Sequence, residues 1–131
     1  MKVLFVCRQN IGRSQMAAAL YNLLHQEGGA DSAGTVVDVP GQRLQDAPAP
    51  KTIAAMQELG VDVSKNTRSQ ITPALLDEYD KIIVMSEPEN TPDWLRDNPK
   101  SVVWDVEDTK TMDLDGTRRT RDELQKLVAE L

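Results

Sequence analysis

Short, almost purely apolar runs alternate with amphipathic helical segments along this chain. Residues 2–6, 81–86 and 101–105 form three such runs, and residues 30–35 form a weaker fourth. The stretch 13–27, after the first run, repeats its apolar residues at helical spacing. Continuous apolar runs are typical of buried strands, and strands that alternate with helices favour a parallel sheet.

Further helices are predicted between these strands. Residues 53–59 repeat apolar residues at helical spacing and stop at Gly60, and a shorter helix is predicted after the Thr72-Pro73 pair. Residues 36–50 contain several proline and polar residues and are typical of a surface loop.

The last helix is predicted from a capping box of Thr120 and Glu123, which precedes apolar residues on one helical face. No repeat and no linker interrupts the alternation of strands and helices. We therefore expect an α/β fold, a single three-layer domain over residues 1–131. It should contain a four-stranded parallel sheet with helices on both faces.

Composition argues against several classes of protein. The 131 residues carry 15 Lys and Arg against 21 Asp and Glu, a net charge of -6, so neither nucleic acid nor an anionic membrane is an expected partner. The N-terminus does not resemble a signal peptide, and we expect a cytoplasmic protein. One Cys and one His make neither a disulfide nor a closed zinc site, so no metal and no cofactor is expected.

The segment between the first strand and the first helix reads Cys7, Arg8, Gln9, Asn10, Ile11, Gly12, Arg13 and Ser14. A loop at this place can turn its backbone N–H groups inward around an anion, and the start of the helix adds positive charge. Arg13 supplies a planar pair of donors for a tetrahedral oxyanion. These groups favour the thiolate of Cys7, which would then be a nucleophile facing phosphorus.

A lone Cys at the end of a strand is more often an apolar core residue than a nucleophile. Here the Cys is followed six residues later by Arg13 and then Ser14, after a strand and before a helix. This combination favours a binding loop for phosphate or a related oxyanion, formed by residues 8–14.

The Cys-x5-Arg-Ser pattern directly after the first strand resembles the low-molecular-weight protein tyrosine phosphatase family, which includes the thiol-dependent arsenate reductases. The resemblance covers most of the chain. Residues 32–35 are similar to the family's Ser-Ala-Gly-Thr segment, and residues 80–85 to its third strand. Residues 104–108 resemble a Trp-x-x-x-Asp segment that ends in the general acid.

This resemblance implies a role for individual residues. Cys7 would be the nucleophile and Arg13 the group that binds the transition state. Asn10 would brace the loop, Ser14 would hydrogen-bond the thiolate, and Asp108 would protonate the leaving group. In the acidic stretch around Asp108, Asp105 and Asp113 are rival candidates for the acid.

The branch within the family is less clear from the sequence. Residues 13–17 and the pattern over residues 50–62 resemble the arsenate reductases. Thioredoxin-coupled reductases use two further cysteines that this chain lacks, so a reductase here would need an external low-molecular-weight thiol. The phosphotyrosine branch has aromatic residues directly after its general acid. Here neither residues 109–112, which follow Asp108, nor the loop 36–50 contains an aromatic residue.

Our first interpretation is a phosphatase that hydrolyses phosphomonoesters through a phosphocysteine, with a phosphorylated small molecule or a phosphoprotein as substrate. The alternative is an arsenate reductase that uses an external thiol. A hypothesis of another class is a phosphocysteine carrier or a non-catalytic oxyanion-binding protein. Carrier loops lack an equivalent of Arg13, which argues against that hypothesis.

Overall fold

A parallel sheet of four strands forms the centre of the molecule in a computed structural model that describes residues 1–131. The strands are β1 (Val3–Cys7), β2 (Ala30–Gly34), β3 (Lys81–Val84) and β4 (Ser101–Val103). They lie in the order β2-β1-β3-β4, and all three pairings are parallel. The predicted α/β fold with a four-stranded parallel sheet is confirmed.

Four α-helices connect or flank the strands. They are α1 (Arg13–Leu24), α2 (Pro50–Gln57), α3 (Asp93–Arg96) and α4 (Leu114–Ala129). Helices α1, α2 and α4 cover one face of the sheet, where Val3 and Phe5 belong to the same buried cluster as Met16, Leu20 and Leu124. This is the larger part of the core.

The other face of the sheet is covered by shorter elements. Leu4 and Val6 of β1 belong to a second buried cluster. This cluster also contains Leu76, from the 3₁₀ turn Ala74–Glu78, and Leu95 of α3. Because β1 is buried on both faces, its residues are apolar without alternation, as the sequence predicted.

Strand β4 differs from the prediction. It ends at Val103 rather than at residue 105, and it is not buried, since Val102 is 42% and Val103 65% exposed. β4 is an edge strand of the sheet and pairs only with β3. An apolar run of three residues was therefore not enough to indicate burial.

The helix boundaries also differ. α1 ends at Leu24 rather than at residue 27, and α2 begins at Pro50 rather than at residue 53. The short helix predicted after Thr72-Pro73 is the 3₁₀ turn Ala74–Glu78. The loop 36–50 contains a further 3₁₀ turn, Leu44–Asp46, whose Leu44 is fully buried.

The predicted capping box of α4 was wrong. The helix begins at Leu114, and its N-cap is Asp113, whose side chain accepts a hydrogen bond from the backbone of Gly116 at 2.8 Å. Thr120 therefore lies inside the helix, where its hydroxyl donates to Gly116 O. Asp and Thr are both good N-caps, so the sequence alone did not decide between Asp113 and Thr120.

The carboxyl ends of β1, β3 and β4 lie at one edge of the sheet, because all strands are parallel. Three connections start at this edge: residues 8–12 before α1, residues 85–92 before α3, and residues 104–113 before α4. No helix of the molecule is long and apolar enough to cross a membrane.

Candidate active site

The loop from Cys7 to Ser14 joins β1 to α1. Cys7 is the last residue of β1, and Gly12 is the N-cap of α1 without a side-chain hydrogen bond. Asn10 has a φ of 57°, a left-handed conformation that Asn tolerates better than most residues. The loop therefore curls tightly between the strand and the helix.

Gly34 at the end of β2 makes room for this loop. A side-chain Cβ at that position would lie 2.6 Å from Arg8 O and 2.9 Å from Asn10 N. Because glycine has no Cβ, the backbone of the loop packs directly on β2. The Ser-Ala-Gly-Thr segment singled out in the sequence contains this glycine.

The thiol of Cys7 is buried and lies next to Ser14, with 3.0 Å between Sγ and Oγ. Ser14 Oγ accepts a hydrogen bond from Asn10 Nδ2 at 2.8 Å, which leaves its own hydrogen free to point at the sulfur. A hydroxyl that donates to sulfur favours the thiolate. The structure thus brings Cys7, Asn10 and Ser14 together, as the resemblance implied.

Asn10 is itself fixed by residues from outside the loop. Its Oδ1 accepts a hydrogen bond from Ser69 N at 2.8 Å. The buried amide of Gln15 donates to Asn10 O at 3.2 Å and to Thr67 O at 3.2 Å. The left-handed residue of the loop is therefore tied both to α1 and to the segment 67–69.

The side chain of Arg13 is 2% exposed and reaches the ends of two other strands. Its Nη1 donates to Met85 O, which follows β3, and to Val106 O, which follows β4, the latter at 3.0 Å. Glu87 accepts from Nη1 at 2.9 Å and from Nη2 at 3.3 Å. Nε has no hydrogen-bond partner in the protein, so the Nε side of the guanidinium is free for a ligand.

The charges around Arg13 shift two pKa values. Burial on its own would lower the pKa of Arg13, but the hydrogen bond to Glu87 and the negative charges of Cys7, Glu87 and Asp108 raise it. Burial on its own would raise the pKa of Glu87, but the hydrogen bond and charge of Arg13 lower it. Both groups are therefore ionised across the neutral range.

Sequence reasoning missed Glu87. It contacts Arg13 across 74 residues of chain, so neither spacing nor periodicity relates the two. The only available signal was its position shortly after a buried strand, at the edge of the sheet where ligands bind.

Sequence reasoning also missed Arg68, which is 1% exposed. Its guanidinium donates to Gln9 O at 3.1 Å and 3.2 Å and to Gln9 Oε1 at 2.9 Å. It also pairs with Asp38 at 2.6 Å and donates to Gln42 Oε1. Arg68 thus holds a backbone carbonyl of the loop and joins it to the segment 38–42.

Asp108 lies closer to the loop than its rivals. Its Oδ2 is 3.7 Å from Arg13 Nη2, and its Oδ1 accepts a hydrogen bond from Lys110 N at 3.0 Å. Asp113 is the N-cap of α4. Neither Asp113 nor Asp105 lines the cavity above Cys7, whereas Asp108 does.

This cavity has a volume of about 340 Å³. From the loop, Cys7, Gln9, Ile11, Gly12 and Arg13 line it. Arg8, Asn10 and Ser14 do not, although they were predicted with the others. The rest of the lining contains no aromatic ring and consists of Asp38, Pro48, Ala49, Lys51, Thr52, Asp108, Thr109, Lys110 and Thr117.

Gly12 also sets the distance between the loop and the opposite wall. A Cβ on Gly12 would overlap Thr109 Oγ1. The glycine thereby lets the segment that carries Asp108 approach the loop. No cluster of three or more His, Cys, Asp or Glu side chains that could hold a metal ion is present.

Residues 2–131 match the family model described as low molecular weight phosphotyrosine protein phosphatase. The chain belongs to this family. The resemblance first seen in the loop is thereby confirmed over the whole chain.

Curated relatives in this family are named arsenate reductases. The glutaredoxin arsenate reductase of Synechocystis sp. is 30% identical over 132 residues, which cover 99% of this chain and 95% of the relative. An arsenate reductase of Staphylococcus aureus is 30% identical over 128 residues, which cover 96% of this chain and 92% of the relative. Family membership alone therefore leaves two chemistries to consider.

Solved structures of phosphatases share the fold. A mutant of YwlE from Bacillus subtilis is 26% identical with a TM-score of 0.81, and the match covers 99% of this chain and 95% of that chain. A low molecular weight protein tyrosine phosphatase from T. tengcongensis is 25% identical, also with a TM-score of 0.81, over 98% of this chain and 95% of that chain.

Proposed function

We propose that this low-molecular-weight phosphatase hydrolyses phosphomonoesters through a phosphocysteine on Cys7. The observation that carries the proposal is that one cavity is lined by Cys7, Arg13 and Asp108, with the carboxyl group of Asp108 3.7 Å from Arg13 Nη2. A nucleophile, an oxyanion clamp and a proton donor are the three groups that such a reaction needs.

Binding of the phosphoryl group is assigned to the loop and to Arg13. The backbone N–H groups of residues 8–14 and the start of α1 attract the dianion. Arg13 offers Nε and Nη2 to two equatorial oxygens, while Nη1 stays bound to Met85 O, Glu87 and Val106 O. Because these partners hold the guanidinium before substrate arrives, little reorganisation is needed in the transition state.

In the first chemical step, the Cys7 thiolate attacks phosphorus, and the bond to the leaving oxygen breaks. Asp108 acts as the general acid and gives a proton to that oxygen. The hydroxyl of Ser14 stabilises the thiolate before attack and again when Cys7 is released.

In the second step, water attacks the phosphocysteine and inorganic phosphate leaves. Asp108, now ionised, takes a proton from that water, so the enzyme returns to its starting protonation state.

A second candidate is an arsenate reductase, which the names of the 30% identical relatives favour. Cys7 would bond to arsenic and displace an oxygen of arsenate, which leaves as water, and an external thiol would then displace Cys7 from arsenic. A second external thiol would attack the sulfur of the first, and the disulfide that forms supplies the two electrons that release arsenite. With one Cys in the chain, no intramolecular disulfide can form.

The natural substrate in this proposal is a phosphorylated small molecule or a phosphoprotein, or arsenate for the second candidate. We place the protein in the cytoplasm, because its mechanism needs a thiol that stays reduced.

Parallel assays of one preparation test the proposal. The wild type should hydrolyse p-nitrophenyl phosphate, and Cys7→Ser should abolish the activity. Arsenate reduction should not be sustained by thioredoxin alone, because no second Cys can form the disulfide that thioredoxin reduces. Thiol-dependent arsenate turnover without any phosphatase activity would decide for the second candidate, and thioredoxin-driven turnover would contradict the argument from the single Cys.

A further inference from the structure

The cavity above Cys7 is lined by two cations besides Arg13. Its lining includes Arg13, Lys51 and Lys110 as cations and Asp38 and Asp108 as carboxylates. Two of these charges are already neutralised by residues behind the wall. Glu87 pairs with Arg13 at 2.9 Å, and Arg68 pairs with Asp38 at 2.6 Å.

The two lysines are left without a partner of opposite charge. Neither ammonium group forms an ion pair with a carboxylate of the chain. Lys51 Nζ donates to the neutral acceptor Met112 O, and Lys110 Nζ has no hydrogen-bond partner in the protein. The two lysines have no carboxylate partner although the chain has a net charge of -6, with 21 Asp and Glu against 15 Lys and Arg.

The start of α2 adds to this positive region. Ala49 is its N-cap and forms no side-chain cap, and Ala49, Lys51 and Thr52 all line the cavity. Pro50, the first residue of α2, has no N–H, but the N–H groups of Lys51 and Thr52 have no acceptor within the helix and carry partial positive charge. An anion at this wall would therefore meet both an ammonium group and the helix start.

The same wall is poorly suited to an aromatic leaving group. Besides Cys7, only Ile11, Ala49 and Pro48 offer apolar contacts, and the other side chains opposite the loop are polar or charged. Pockets that hold a ring usually have apolar or aromatic walls that bury it.

From these observations we infer that the substrate is a phosphomonoester whose leaving group carries a second anion, a carboxylate or a phosphate, bound by Lys51 and Lys110. The inference rests on the proposed phosphatase function and names its substrate class. Cys7 takes the phosphoryl group as before, and the lysines hold the far end of the molecule.

A matched pair of substrates isolates the second anion. In 3-phosphoglycerate a carboxylate replaces the terminal hydroxymethyl group of glycerol 3-phosphate, and the phosphoryl groups leave from the same type of alkoxide. A charge contact at a partly exposed site is worth about five- to thirty-fold in binding. We expect the wild type to prefer 3-phosphoglycerate in kcat/KM by about that factor, and the preference to fall as salt concentration rises.

Two variants test the lysines. Lys110→Gln should lower the ratio of the two kcat/KM values at least about five-fold. Lys51→Gln should do the same, with its fold checked by circular dichroism because Lys51 also binds the backbone of Met112. The matched control is Lys126→Gln, an exposed lysine in the last turn of α4 that does not line the cavity. It should leave the ratio unchanged.

The outcomes separate this inference from the proposed function. If the wild type hydrolyses p-nitrophenyl phosphate but does not prefer 3-phosphoglycerate over glycerol 3-phosphate, the inference is wrong and the proposed phosphatase function stands. The same holds if the wild type has this preference and both lysine variants keep it. Failure of the wild type to hydrolyse any of the three phosphates would overturn both.

Discussion

Arg13 donates hydrogen bonds to two backbone carbonyls and to both carboxylate oxygens of Glu87. A long cationic side chain that is held at so many points loses little further freedom when a ligand binds. The rigidity comes from residues that follow β3 and β4, so three connections of the sheet share in placing one guanidinium.

The planar shape of the guanidinium leads to a first prediction. Arg13→Lys should lose almost as much kcat/KM as Arg13→Ala, because Lys keeps the charge but not the paired donors that fit two oxygens. It also lacks the donors that Glu87 and the two carbonyls now occupy. Steady-state kinetics with p-nitrophenyl phosphate measure the loss. If Arg13→Lys kept more than about a tenth of the activity, a loss under about 1.4 kcal/mol, the bidentate role would be wrong.

Asp108 leads to a second prediction. Asp108→Asn should slow hydrolysis by about 10² to 10⁴, because the leaving oxygen then departs without a proton. The loss should be smaller for a nitrophenyl ester than for an alkyl ester, whose oxygen is more basic. Binding of inorganic phosphate, measured as competitive inhibition, should change little, since the loop and Arg13 remain.

The rival carboxylates serve as matched controls for Asp108. Asp105→Asn should leave kcat near the wild-type value, because its side chain does not line the cavity. Asp113→Asn should have the same effect, since Asn is also a good N-cap for α4. If either control showed the dependence on leaving group expected of Asp108→Asn, the assignment of the acid would be wrong.

The loop residues were predictable from the sequence because their relative positions depend on their spacing within one short segment. Cys7, Asn10, Arg13 and Ser14 follow one strand and start one helix, so their spacing already places them around a common point. Glu87 is different, since it approaches Arg13 only after the sheet has formed. Contacts between distant segments leave no periodic signal, so the residues that position Arg13 were found only in the structure.

Helices α2 and α4 are joined by two ion pairs of Glu58. Glu58, next to the end of α2, accepts hydrogen bonds from Arg118 at 2.6 Å and from Arg121 at 2.7 Å. These bonds, that of Arg118 first, lower the pKa of Glu58 to about 2. The pairing therefore favours the folded state only while Glu58 is ionised.

This gives a third prediction, for stability against pH. A carboxyl whose pKa is lowered by folding stabilises the folded state above its unfolded value, near 4.5, and loses that contribution as pH falls toward 2. Glu58→Gln should lower the Tm at pH 7, and the difference from wild type should shrink between pH 5 and 2. Glu89→Gln, which removes a carboxylate without an ion pair, is the control and should show no such trend. A difference independent of pH would contradict the assignment.

The boundaries of elements were less predictable than their existence. The strands and the main helices were found from apolar patterns, but α4 begins six residues before the predicted capping box, at a site that Asp113 caps. Several residues in that stretch can cap a helix, and tertiary packing decides among them. Likewise, Val102 and Val103 are apolar but exposed, because an edge strand has no neighbour on one side.

The parallel sheet brings three separate connections of the chain to one edge. Cys7, Glu87 and Asp108 come from the ends of β1, β3 and β4, and meet around Arg13. The fold thus assembles the site from segments that are far apart in sequence. Because the lining of the cavity comes from several such segments, it was predicted less completely than the fold and the loop that carries Cys7.

Every step of the proposed mechanism depends on transfer of the phosphoryl group to Cys7. The most direct test mixes enzyme with p-nitrophenyl phosphate, stops the reaction in acid during turnover, and analyses the peptides by mass spectrometry. We expect one added phosphoryl group on the peptide that carries Cys7, with more of it accumulating when water attack is slowed by Asp108→Asn. Nitrophenol release without any phosphorylated Cys7 peptide, or the same rate of release from Cys7→Ser, would contradict it.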